Sequence, residues 1–277
     1  MKIVAFAVLA LLPLLAIAQV PSPAPLEPPA SAQELATITE RGRALYDYDQ
    51  AAWHGTDAAR AVAGNDTGGL GFYIAFRTSP GWVVDFGALD STGKAFITVL
   101  EAQSADGVHF TAGRLTPPRN DTGFLVAAAH AIRTAEAAFS FAPGYHYNVA
   151  VLPRGDGTLY VYLYPAHSDD TTGPAGGDER FTISADGAQI VEAHRMHRNM
   201  LTRTSFTYPR PGAHLVSVWM REVIDPHPQD SDVFLVLSRK PRVPEYVNAR
   251  GQLYLIQTDG TIEYQGPAET TRVPAPN

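Results

Sequence analysis

The period of the apolar positions changes several times along the chain, and each change marks an element. Leu35, Ile38, Leu45, Ala52 and Trp53 recur at roughly helical spacing behind Ser31, and Glu34 stands three positions on to complete a capping box. This predicts one long or two short helices over Ala32–Ala61, with Gly42 and Gly55 as weak points. Leu70–Arg77, Trp82–Leu89, Lys94–Ala102 and Val108–Leu115 read as strands, separated by Ser-Pro-Gly, Asp-Ser-Thr-Gly and Ser-Ala-Asp-Gly turns. Such short connections predict an antiparallel meander. Thr116–Gly123, with two Pro and an Asn-Asp-Thr-Gly string, reads as a break.

Helical spacing returns over Phe124–Phe139, with Leu125, Ala128, Ala129, Ile132, Ala135 and Phe139 on one face. His146–Leu152, Thr158–Tyr164, Arg180–Ser184, Gln189–His194 and His214–Arg221 are further predicted strands, Asp232–Leu237 is a short helix, and Leu253–Gln257 and Ile262–Tyr264 close the series. The pattern predicts an α+β fold: N-terminal helices plus largely antiparallel sheets in two closely packed lobes. The expected lobes are 32–118 and 122–266, with the break as the seam between them.

The ends of the chain differ from its body. Met1-Lys2 precedes an apolar run from Ile3 to Ile17, and Ala16-Ile17-Ala18 fits a signal-peptidase site. The run falls short of the roughly 20 residues that span a bilayer, so residues 1–18 read as a signal peptide cleaved after Ala18. The expectation is a periplasmic or extracellular protein with no stable membrane insertion once the leader is gone. Residues 19–31 hold five Pro and read as a linker, and 267–277 as a flexible tail.

Composition narrows the partners. With 21 Lys+Arg against 28 Asp+Glu, the formal charge is −7, which argues against a nucleic-acid partner. Only Lys2, Lys94 and Lys240 are lysines, and the abundance of Ala, Gly and Pro points to a GC-rich bacterial genome. There is no Cys, which suits an oxidising compartment and excludes thiol nucleophiles. No Gly-x-Ser-x-Gly elbow is present either.

Several clusters could still carry chemistry. Asp49, Trp53 and Asp57 fall at i, i+4, i+8 of the first helix. Trp53 reads foremost as an anchor of that helix to a sheet, but a Trp flanked by carboxylates also suits a polyol or sugar, which makes these three the candidate ligand-binding residues. Glu192-Ala-His194-Arg-Met-His197 is the densest His cluster, although on a strand only Glu192 and His194 share a face. Asp225-Pro-His227-Pro-Gln-Asp230-Ser-Asp232 reads as a solvated loop leading into a helix that Asp230 or Ser231 caps.

Leu45–His54, Asp156–Pro165 and Ser238–Tyr246 resemble segments of a family of exported bacterial proteins of unknown function. From about Phe124, the order of elements also resembles the JAMM-type metallopeptidase fold, whose zinc is held by two His and an Asp and whose Glu activates a bound water. Asp225-Pro-His227-Pro228 is the nearest string to that motif, with Asp225 where the first His belongs. Ser231 comes early for the motif Ser, Phe234 stands in place of the Asp, and Tyr147–Val151 contains no Glu. The resemblance therefore implies a degenerate member of the fold, with no catalytic residue carried over.

Two functions follow from these readings. The preferred one is a non-enzymatic envelope protein that binds a protein partner or small ligand and needs no cofactor. The alternative is a metal-dependent hydrolase with zinc on an unconventional set, His194, His197, His227 and Asp230, with Glu192 and His214 as further candidates.

Overall fold

The computed structural model describes residues 26–64, 71–79, 81–166, 174–201 and 214–268. The expected leader, most of the Pro-rich linker and the tail after 268 lie outside the described residues.

One helix, α1 (Ala32–Ala63), forms the spine. Its capping box is as the sequence predicts: Ser31 Oγ accepts from the Glu34 N–H at 3.2 Å, and Glu34 Oε2 accepts from the Ser31 N–H at 2.9 Å. Gly42 and Gly55 do not break it. They are where other elements press closest, since a Cβ on Gly42 would stand 2.5 Å from Val233 Cβ and one on Gly55 2.6 Å from Val84 Cγ2.

The meander that follows is β1 (Phe72–Thr78), β2 (Gly81–Leu89), β3 (Phe96–Ser104) and β4 (Thr111–Asp121), antiparallel throughout and in sequence order. The expected seam at 116–123 is instead largely strand. β4 bulges opposite Thr98–Leu100, contains a cis Thr116–Pro117 bond, and resumes pairing at Arg119–Asp121. A bulge absorbs the two Pro, which cannot donate to a ladder, and so the break predicted from them does not occur.

Helix α2 (Phe124–Ala138) buries the predicted face. A second sheet, in the order β5-β6-β8-β9, is built from β5 (Tyr147–Pro153), β6 (Leu159–Pro165), β8 (Glu179–Ile183) and β9 (Ile190–Arg195). Two-residue strands β7 (Ala175–Gly176) and β10 (Met200–Leu201) pair beside it. The last sheet holds β11 (Val218–Glu222), β12 (Glu245–Ala249), β13 (Gln252–Ile256) and β14 (Ile262–Pro267), with α3 (Asp230–Ser238) crossing from β11 to β12. That crossover makes β11–β12 the single parallel pair among the described strands.

The cores join both halves of the chain. Leu45, Tyr48 and Ala52 of α1 pack in one cluster with Val84 and Leu100 of the first sheet, Tyr162 and Tyr164 of β6, and Phe234 of α3. β6 serves two cores by simple alternation: its tyrosines face this cluster, and Leu159, Val161 and Leu163 pack against α2. One core cluster therefore spans both of the expected lobes. Leu26–Ala30, read as tether, are docked: Gln252 donates to the Glu27 carbonyl, and the Ala30 N–H donates to Tyr254 Oη at 3.0 Å.

Candidate ligand site

Asp49 and Trp53, one turn apart on α1, line the same cavity of about 660 Å³, whose other walls include Tyr73, Asn148, Tyr164, Lys240 and Arg242. Asp49 is half-buried at its wall. Its Oδ1 accepts from Tyr164 Oη at 2.8 Å and from Asn148 Nδ2 at 3.5 Å, and Gln50 Nε2 reaches Oδ2 at 3.4 Å. Burial pushes the Asp49 carboxyl above its ordinary range, and the three neutral donors oppose that shift only in part. Burial beside Asp49 also holds the Tyr164 phenol well above the usual tyrosine range, so it stays a donor.

Trp53 is no core anchor. It is 44% exposed, with its ring stacked on His54 at 5.5 Å and Lys240 Nζ 5.9 Å from its centroid. The indole is thus partly exposed beside the cavity, with His54 and Lys240 as its ring neighbours. Arg242 stands over the Tyr46 ring and donates to Tyr46 Oη at 2.7 Å and to the Leu237 carbonyl at 2.7 Å. With Arg60 also in the lining, the wall carries three cations against the single carboxyl of Asp49. Asp57, the third expected residue, is exposed outside this lining and pairs with Arg60 at 3.6 Å. The i+8 position has rotated away from the cavity.

The four residues of the zinc alternative do not come together as a ligand set. His194 Nε2 lies 2.9 Å from Gln229 Oε1 and 3.2 Å from Asp225 Oδ2, and His227 Nδ1 is 3.3 Å from the Pro228 carbonyl. Asp230 is enclosed: Arg41 Nε binds both of its oxygens at 2.9 and 3.0 Å, Tyr162 Oη donates to Oδ2 at 3.0 Å, and Arg180 pairs with the same oxygen. A carboxylate neutralised by two guanidinium groups is a poor metal ligand. Glu192 and His214 are exposed. Among the described residues no group of three or more His, Asp or Glu side chains could hold a metal ion.

His197 lies beyond β9 and is buried. Its Nδ1 stands 2.8 Å from Asp178 Oδ1, and its Nε2 is 3.2 Å from Asp232 Oδ1 and 3.4 Å from Glu222 Oε2. Burial opposes charge on the ring, but Asp178 and Asp232 outweigh it and raise the imidazole well above its ordinary range. An imidazolium with both nitrogens turned to carboxylates has no lone pair for a metal. Nor does it form a catalytic triad, because Ser231 Oγ approaches the same Nδ1, at 3.4 Å, that Asp178 holds.

The solvated loop expected before α3 is in fact a buried helix start: Asp230, Ser231 and Asp232 are all enclosed, and the cap is Gln229, whose N–H donates to Asp232 Oδ2 at 2.8 Å. The carboxylates turn inward because Arg41, Arg180 and His197 wait there. Nothing local in the sequence links Asn148, Tyr164 or Lys240 to Asp49, or Glu222 to His197, and Asp178, which reads as part of a surface loop after Gly176-Gly177, is buried against His197 instead. The three Tyr of β6 on one face were the available signal.

No known protein family, curated protein or solved structure matches the chain.

Proposed function

We propose that this chain is an exported cell-envelope protein that binds a small hydroxyl-bearing ligand, with no chemistry performed on it. The observation that carries the reading is the pairing of Asp49 with Trp53 in one cavity: a carboxyl to bond hydroxyl groups, and an indole face for the flat side of a ring. The cavity volume of about 660 Å³ suits one or two sugar-sized units. Arg60, Lys240 and Arg242 favour a ligand that also carries an acid group. Export is supported by the apolar leader and its Ala-x-Ala site.

Titrating the purified protein with hexoses, amino sugars and uronic acids, while following tryptophan fluorescence and heat, tests the binding. Uronic acids are expected to bind more tightly than hexoses. Trp53→Ala and Asp49→Asn should each weaken the interaction by about tenfold or more, which is about 1.4 kcal/mol. A panel without binders, or affinities indifferent to both substitutions, overturns the reading. Sequencing the amino terminus of protein recovered from the envelope tests export, with Gln19 expected first.

A further inference from the structure

A second and larger cavity, about 1510 Å³, opens on the other side of α1. Its walls are mostly apolar, from Phe76 of β1, Phe124 and Leu125 of α2, and Val151 of β5. Into this setting the first sheet places an unbalanced set of charges. Alternation along β2 turns Val84 and Phe86 to the α1 side and Asp85 to the opposite face. Asp85 is paired in register with Glu101 of β3, so two carboxyls lie directly across from each other.

One cation, Arg119 of β4, serves both and a third acid as well. Its Nη2 is 2.7 Å from Asp85 Oδ2, its Nη1 pairs with Glu101, and its Nε stands 2.9 Å from Asp121 Oδ1. Asp85 and Arg119 both line the cleft. Asp85 has no exposed surface, and among the described residues its Oδ1 has no hydrogen-bond partner. A proton on Asp85 is donated to Glu101, so Oδ1 lacks a donor only when both carboxyls are ionised.

The remaining charges of the cleft do not correct the imbalance. Arg77 is bound to Asp47 at 2.6 Å, and Arg43 to the Asp259 carbonyl at 2.9 Å, while Glu40, Asp121 and Glu263 add carboxylates to the wall. The lining thus holds five carboxyls and three guanidinium groups.

We propose that this cleft binds a small ligand carrying an ammonium or guanidinium head on an apolar body, with the head facing Asp85 and the body along Phe76, Phe124 and Leu125. The head supplies the positive charge that the cluster lacks and gives Asp85 Oδ1 a donor. Asp85 titrates near 7, pushed up first by burial and then by Glu101 and Asp121 against Arg119, so it holds a proton in mildly acid solution. Docking of the cation displaces that proton to solvent.

The experiment is calorimetric titration of the full chain with n-octylammonium and with n-octanol, which share an apolar body. An alkylammonium stays charged throughout the range used, since it titrates near the lysine value of about 10.4. Octylammonium is expected to bind about tenfold or more tightly than octanol at about pH 8, and to weaken by about tenfold on going to pH 6 as Asp85 takes up its proton. In Asp85→Asn the advantage of the amine should vanish and octanol binding persist, which also reports an intact cleft. Should that variant fail to fold, the proton released by the wild type at about pH 6, read from heats in buffers of different ionisation enthalpy, carries the test. Equal binding of the two probes, no binding of either, an amine advantage that survives Asp85→Asn, or no proton release overturns the proposal.

Discussion

Tyr73 of β1 reaches across to β5 and engages a single residue twice. Its Oη donates to the Val149 carbonyl at 3.1 Å and accepts from the Val149 N–H at 3.2 Å. β1 and β5 are the facing edges of two separate sheets, and the phenol does what a neighbouring strand would do for Val149. Tyr48 of α1 serves β1 similarly, accepting from the Ala75 N–H at 3.3 Å. Tyr73→Phe should therefore cost about 1–2 kcal/mol in urea unfolding, as both polar groups of Val149 lose their partner. Hydrogen exchange at the Val149 amide should accelerate in the same variant.

The contact between α1 and α3 leaves no room for a methyl group. A Cβ at Gly42 would meet Val233 Cβ at 2.5 Å and the Asp230 carbonyl oxygen at 2.6 Å. Gly42→Ala is expected to destabilise by about 1–3 kcal/mol despite its better helix propensity. Gly113→Ala on β4, where nothing lies within 4 Å, should change stability by less than about 0.5 kcal/mol. Paired thermal melts of the two variants check the contrast.

Asp85 gives stability a pH dependence of unusual sign for a carboxylate. Its folded value, about 7, lies above the unfolded value of about 3.9, so the native state binds more protons between the two. Its contribution is therefore greatest in acid and falls as pH rises toward and past 7. Relative to Asp85→Asn, the wild type should lose up to about 4 kcal/mol between about pH 4 and pH 8. Urea midpoints of both proteins across that range provide the measurement, and parallel curves would refute it.

His197 has a dependence of the same sign, set in a higher pH window. With its folded value raised well above the ordinary one, the stabilisation from its charge is complete below about 6.5 and is lost only as pH climbs through the folded value. Proton spectra should show its ring unmoved between about pH 5 and pH 7. His197→Ala leaves Asp178, Asp232 and Glu222 facing one another and should cost about 3–5 kcal/mol, part of which a second change, Asp232→Asn, restores.

Much of this architecture follows from local pattern. The buried face of α2 is given by its spacing alone, and Asp49 with Trp53 by one helical turn. The misreadings share a cause, which is that the deciding partner lies far off in sequence. Gly42 looks like a weak point until Val233 is placed against it. The pattern predicts no strand over β12 because its buried positions begin with Glu245, an acid that becomes a core residue only when paired with Arg239. Asp230 reads as a solvated cap because Arg41 and Arg180 stand 189 and 50 residues away. The walls of the ligand cavity are equally remote from its floor, with Tyr164 115 residues beyond Asp49.

Helix α1 is a partition as well as a spine. Asp47 and Tyr48 look into the larger cleft and Asp49 and Gln50 into the smaller cavity, so consecutive residues of one turn belong to different chambers. Tyr48 is held rigidly between them, fully buried, with its phenol pushed up to about 12 by desolvation. A displacement of this turn by an occupant on one side is a displacement of the wall on the other. Any thermodynamic linkage between the chambers is then reciprocal: whatever factor one guest imposes on the affinity of the other, it receives in return.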